Sequence, residues 1–205
     1  MEVLIKELDM SDLMDNLDSE ELFYLGLQAS GKGDHEKAIL LFKRSISLDC
    51  NARNTYLLAA EYAEIGMYER AYETMQKAVD LDPQLWTAHF QAGLIKFSVG
   101  DTETAREAWS KLDALPESNP LRVFKNGIIQ CLDGDLESGE TLILQGLEVN
   151  NSNPALNEDM KRLLELLKAN HGEQTPQHTR KDENVTAEDS LNHLFLSAYK
   201  NKTKQ

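Results

Sequence analysis

Four things are scarce in this chain, and each scarcity removes a class of protein. Two cysteines in 205 residues, Cys50 and Cys131, cannot make a disulfide framework; as small apolar residues they read as buried, inert thiols in a reducing compartment. Five prolines leave most of the chain without a helix breaker. Apolar runs are short. None approaches the roughly 18 residues of a membrane span, and the opening Met1-Glu2-Val3-Leu4-Ile5-Lys6 does not look like a secretory leader. Positive charge is the fourth scarcity: 21 Lys and Arg stand against 35 Asp and Glu, for a net charge of −14. A field of that sign repels phosphate backbones, so nucleic acid is not an expected ligand.

Catalytic patterns are missing too. The five histidines, His35, His89, His171, His178 and His193, pair with no cysteine or carboxylate at metal-ligand spacing. There is no phosphate-binding glycine loop and no nucleophile elbow. The chain reads as a non-enzyme that needs no cofactor and no metal.

What is present is repetition. Gly33-Asp34-His35-Glu36-Lys37-Ala38 returns as Gly66-Met67-Tyr68-Glu69-Arg70-Ala71 and as Gly100-Asp101-Thr102-Glu103-Thr104-Ala105. It returns more weakly as Gly134-Asp135-Leu136-Glu137-Ser138-Gly139, the motifs lying 33, 34 and 34 residues apart. That period marks stacked helix–turn–helix units, which serve as binding surfaces far more often than as catalysts. Within each unit apolar residues fall at helical spacing, as in Leu22, Leu25, Gly26 and Ala29, then Ala38, Leu41, Phe42 and Leu48. Ser19 is the expected first N-cap, and Pro83, Pro120 and Pro154 lie near helix starts, with Asn119 and Asn153 ahead of two of them. Gly139 and Gly146 fall inside a helix of the fourth unit, where each should cost about 0.5–1 kcal/mol relative to alanine. Gly139→Ala is expected to stabilise that unit if the site has room.

The pattern Leu-Gly, Ala, Gly-Asp-x-Glu-x-Ala, Phe, Ala, Leu-Asp-Pro resembles the tetratricopeptide repeat. The resemblance covers about Ser19 to Ser152. It implies an all-α, right-handed superhelix of four helix-turn-helix repeats with a C-terminal capping helix. The expected organisation is an acidic, partly helical segment over 1–18, four repeats over 19–152 and a capping helix over 153–170. A polar linker follows over 171–185, then a short amphipathic tail helix over 186–200. The capping helix is expected to present Leu156, Met160, Leu163, Leu164 and Leu167 as one stripe.

First helices of successive repeats line the concave face of such arrays, which implies a partner-binding groove. The residues expected there are Phe23, Tyr24, Leu27, Tyr56, Leu57, Phe90, Gln91, Leu94, Phe124, Lys125 and Ile128. Many co-chaperones of the family hold a peptide carboxylate with lysine, arginine and asparagine; at those places stand Phe23, Leu27, Leu57, Thr87 and Gln91, so that clamp is missing. An apolar groove suits an apolar or amphipathic partner segment, and in character it is loosely similar to bacterial secretion chaperones of the same family. The reading is a cytoplasmic protein–protein interaction module, an adaptor or substrate chaperone. The alternative is a structural, self-associating scaffold subunit. The tail residues Leu191, Leu194, Phe195 and Tyr199 form a stripe expected to dock on apolar protein surface, the chain's own groove or another copy.

Overall fold

The computed structural model describes residues 16–172, with side chains as far as Glu165. The tail stripe and all but the last residues of the acidic segment lie outside them. Among the described residues the chain is all-helical: nine α-helices, one 3-10 turn and no strand. In chain order the helices are α1 (Ser19–Ser30), α2 (His35–Leu48), α3 (Ala52–Glu64), α4 (Tyr68–Leu81) and α5 (Trp86–Ser98). They continue as α6 (Thr102–Ser110), α7 (Pro120–Leu132), α8 (Leu136–Val149) and α9 (Pro154–Gly172).

The recurring glycine is the hinge of every helix pair. Gly33, Gly66, Gly100 and Gly134 have φ of 74, 76, 83 and 91°, a conformation that costs a side chain dearly and glycine nothing. Past each of them the next N–H closes back five residues: Asp34 to Ala29 (3.0 Å), Met67 to Tyr62 (2.8 Å), Asp101 to Lys96 (3.0 Å) and Asp135 to Gln130 (2.9 Å). These bonds satisfy carbonyls that a helix end leaves open. Asp34, Asp101 and Asp135 then cap the following helix by accepting from the N–H of Lys37, Thr104 and Ser138. Met67 stands in that register without a side-chain cap bond.

The cap of α1 differs from expectation. Asp18, not Ser19, is the N-cap, in a reciprocal box with Glu21. Ser19 is the first helical residue and its hydroxyl turns inward to Ser45. Asn119 and Asn153 cap as expected, accepting from Leu121 and Leu156, with Pro120 and Pro154 opening the helices behind them.

The chain divides into two compact units, with the boundary in sequence between Pro83 and Gln84. The first holds α1 to α4. Its core gathers Leu22, Phe23, Leu41, Phe42, Ala59, Tyr62 and Met75. A polar thread joins its helices: Asn54 Nδ2 donates to Ser45 Oγ (2.8 Å), which donates to the Ser19 carbonyl (2.7 Å).

The second unit holds α5 to α9 around Phe90, Phe97, Trp109, Phe124, Ile143 and Met160. Here α6 stops at Ser110 and tightens into a 3-10 turn over Lys111–Ala114, which sends Leu112 and Leu115 into the core. The stripe of α9 buries Leu156, Met160, Leu163 and Leu164 as expected; the side chain of Leu167 lies outside the described residues.

The fourth repeat corrects one expectation. A Cβ on Gly139 would sit 2.2 Å from Cys131 Sγ and 2.8 Å from the Gly127 carbonyl oxygen, and one on Gly146 would sit 2.5 Å from Phe124. The glycines are therefore not packing defects of α8. They let α7 and α8 approach where the equivalent residues of the first two repeats are Ala38 and Ser45, then Ala71 and Ala78. Gly139→Ala has no room.

Candidate functional site

Helical spacing sets the sequence-predicted groove residues on the first helix of each repeat, and the structure divides them sharply. Phe23 (2% exposed), Phe90, Leu94, Phe124 and Ile128 are core residues. They close the gap between paired helices, so a partner does not touch them. The sequence pattern could not separate the two fates because core and face lie one residue apart on the same turn.

In the first unit an accessible face survives. Tyr24 is 53% exposed, and Leu27, Tyr56 and Leu57 are half-buried. Arg53, at the start of α3, lays its guanidinium 3.8 Å from the centroid of the Phe23 ring and 5.8 Å from that of Tyr24. Phe23 and Tyr24 meet edge to face, with centroids 5.5 Å apart. Phe23 is thus sealed by Arg53 and Tyr24, and those two carry the chemistry of the surface. An arginine stacked by its plane keeps its in-plane N–H groups for other acceptors.

Among the described residues the second unit offers no equivalent. Leu121 stands in the register of Arg53 and packs into the hydrophobic core. Gln91 is half-buried. Lys125 is 6% exposed and donates to Asp113 in the 3-10 turn at 2.6 Å. Arg122 donates to the Leu115 carbonyl beside it, at 2.6 Å. Those cations pin the long connection between α6 and α7 rather than face a ligand.

One polar cluster has the residue types of a hydrolase but not their order. Glu61, 4% exposed, accepts from Ser30 Oγ at 2.5 Å and pairs with His35 Nδ1 at 2.9 Å. In a nucleophilic triad the serine hands its proton to the histidine; here the serine donates to the carboxylate. The arrangement ties α1, α2 and α3 together across the first two repeats. His35 thus has a polar structural role in the first unit. His89 lies with its ring centroid 5.8 Å from that of Trp86. Among the described residues no three His, Cys, Asp or Glu side chains gather as metal ligands, and no described helix is long and apolar enough to cross a membrane.

A feature absent from the sequence reading is a cavity of about 540 Å³ in the first unit, between the second helices of its two repeats. Leu58 and Tyr62 form its floor, Ile46 and Cys50 one wall, and Arg70, Thr74, Lys77 and Leu81 the other. Arg70 and Lys43 both lie over the Tyr62 ring, at 5.1 and 5.7 Å from its centroid. The two cysteines part company here. Cys50 is exposed at the cavity wall. Cys131 is buried against Gly139, and its thiol is pushed up to about 11 by burial first and by Asp135 and Glu140 second.

The geometry is that of a helical-repeat protein whose first unit carries an accessible apolar and aromatic face. Residues 52–85, the second repeat, match the family model of the tetratricopeptide repeat. The chain is similar to the small glutamine-rich tetratricopeptide repeat-containing protein 2 of Saccharomyces cerevisiae, 25% identical over 142 residues, 69% of this chain and 39% of that protein. It is also similar to the heat-shock protein cognate co-chaperone sgt12 of Aspergillus fumigatus, 32% identical over 96 residues, 46% of this chain and 28% of that one. Among solved structures MamA superposes with a TM-score of 0.55 at 23% identity, covering 64% of this chain and 77% of that one. MamA 41-end from Desulfovibrio magneticus RS-1 does so with a TM-score of 0.55 at 12% identity, covering 91% and 95%. Both share the fold. Residues 52–85 are thus one tetratricopeptide repeat, and the chain as a whole is similar to proteins built of such repeats. It spans 39% and 24% of the length of two of the curated relatives that it matches.

Proposed function

We propose that this chain is a non-catalytic protein-interaction module, an adaptor or substrate chaperone, which holds an apolar or amphipathic segment of a partner protein on the α1–α3 face of its first unit. The observation that carries the reading is Tyr24, more than half exposed beside an Arg53 stacked on Phe23. Aromatic and arginine side chains dominate the energetics of protein interfaces. Covering Tyr24, Leu27 and Leu57 removes apolar area from water worth roughly 1.5–3 kcal/mol for each side chain fully buried, before ordering costs. Arg53 adds a donor for a backbone carbonyl or carboxylate of the same segment, so the favoured partner combines an apolar anchor with an acceptor beside it.

The adaptor reading is supported by the relatives, which carry the same repeats and include a protein named as a co-chaperone. Two free cysteines and an acidic surface favour the cytoplasm. The charge also speaks against nucleic acid as the partner.

Affinity capture from the native cell, comparing the wild-type chain with Tyr24→Glu, Leu57→Glu and Leu144→Glu, tests the reading. Leu144 is 44% exposed on α8 and serves as the surface control. A protein retained by wild type and by Leu144→Glu but lost from both face variants is the expected result. Equal retention by all four would refute it. A dimer in light scattering that Tyr24→Glu returns to monomer would replace it with a self-associating scaffold.

A further inference from the structure

The cavity between α2 and α4 has two unlike ends. Arg70, Thr74, Lys77 and Leu81 run along its α4 wall at i, i+4, i+7 and i+11, one helical stripe. At 1.5 Å per residue that stripe is about 16 Å long. Its Arg70 end lies at the Tyr62 ring, which carries two cations, Arg70 at 5.1 Å and Lys43 at 5.7 Å from the centroid. Among the described residues neither cation is paired with a carboxylate. At the other end the lining is Ile46, Cys50 and Leu81, the last 47% exposed. Leu58 lies in the floor and is buried.

The acids are graded the opposite way. Asp80 lines the Leu81 end, and Asp49 and Asp82 follow α2 and α4 there. Toward the Tyr62 end stand Glu73, one turn from Arg70 and four residues before Lys77, and Glu69, which is outside the lining. On the α2 side Glu36 and Asp34 come two turns or more before Lys43. An anionic group is therefore favoured over Tyr62 and disfavoured beside Leu81.

We propose that this cavity binds a single-chain amphipathic carboxylate, a medium-chain fatty acid. Its head lies at Arg70 and Lys43, and its chain runs over Leu58 toward Ile46, Cys50 and Leu81. Both cations donate charge-assisted hydrogen bonds to a carboxylate placed there. Volume favours such a ligand over a helix of a partner protein. The cavity measures about 540 Å³, within the roughly 300–1,000 Å³ of small-molecule sites. A helix about 10 Å across laid along the same 16 Å would need about 1,200 Å³ and would stand mostly outside.

Cys50, exposed at the cavity wall, serves as the reporter. Its alkylation by iodoacetamide, a neutral reagent, is followed by mass spectrometry on the full, folded chain, with laurate added below its micellar concentration. The expected result is a saturable slowing of at least about fivefold. Dodecyltrimethylammonium, the same chain length with a cationic head, should not slow it. Arg70→Gln combined with Lys43→Gln should raise the half-protecting laurate concentration at least about tenfold. Lys111→Gln, at an exposed cation of the second unit, should leave it unchanged. Both residues of the double variant are exposed, and far-UV circular dichroism checks that its helices remain. Alkylation that laurate does not slow overturns the proposal. Equal protection by the cationic amphiphile, or full protection of the double variant, does the same, because the cavity would then select no head group. Alkylation of the buried Cys131 at the protecting concentration also overturns it, because laurate would then be unfolding the chain.

Discussion

Gly93 on α5 lies directly against the indole of Trp109 on α6: a Cβ at residue 93 would stand 2.1 Å from Trp109 Nε1. The same nitrogen donates to the Phe90 carbonyl at 3.0 Å, so the ring is fixed by a hydrogen bond and cannot swing away without losing it. Gly26 faces Phe42 in the first repeat and Gly127 faces Ile143 in the fourth, in the same register. The closest approach of each of these helix pairs is a missing side chain opposite a large one.

Gly93→Ala should therefore destabilise the second unit by about 1–3 kcal/mol, the usual cost of overpacking a close-packed core. Intrinsic helix propensity alone points the other way, since alanine is the better helix former by roughly 0.8–1 kcal/mol. Urea unfolding followed by tryptophan fluorescence measures the sign. A more stable variant would mean that the indole has a second resting place.

Gly139→Ala is expected to destabilise by a similar amount, about 1–3 kcal/mol. Its Cβ meets the Cys131 sulfur and, at 2.8 Å, the carbonyl oxygen of Gly127. Removing the sulfur in a Gly139→Ala, Cys131→Ala double variant should recover part of the loss and not all of it, because a backbone atom cannot be trimmed. A double-mutant cycle by denaturant unfolding isolates that coupling; full additivity would show that the sulfur contact is immaterial.

The two thiols should differ in reactivity. Cys50 is exposed and should react with a thiol reagent at pH 8 in the folded protein, whereas Cys131 should react only on unfolding. The sign of the pH effect follows from the same shift. The folded state holds the Cys131 proton more tightly than the unfolded state, so the associated stability is complete below the ordinary value of 9.0 and is lost as pH rises toward about 11. Cys131→Ala should flatten the alkaline limb of the stability curve between those values. An unchanged limb would assign it to other groups.

The capping aspartates set part of the acid limb. Hydrogen bonds from Thr104, aided by the charge of Lys96, hold Asp101 below the usual carboxylate range, and hydrogen bonds from Ser138 do the same for Asp135. Carboxylates lowered in this way stabilise the fold above their unfolded value, near 4, and lose that contribution as pH falls through the folded one. The double variant Asp101→Asn, Asp135→Asn keeps a capping oxygen but cannot titrate. Its stability should fall less than that of wild type between about pH 5 and 2, as read by thermal unfolding across that range.

The glycine hinges at residues 33, 66, 100 and 134 and the alternating helices between them could be read from the chain, because each depends on residues close in sequence. A positive-φ turn needs glycine locally, and a helical stripe needs only a 3.6-residue period. The same holds for the caps at Asn119 and Asn153. Which side of a stripe meets water is a different matter. Tyr24 and Phe23 are neighbours in sequence; one is a surface and the other is core, its ring packed near Phe42 and covered by Arg53, thirty residues away. Phe90 and Phe124 look like groove residues until the 3-10 turn brings Leu112 and Leu115 into the same core. Gly139 looks like a weakness until Cys131 and the Gly127 backbone are seen to occupy the space an alanine would need. Local geometry is written in the order of the residues; accessibility and room belong to pairs of helices, and those were decided only when the helices packed.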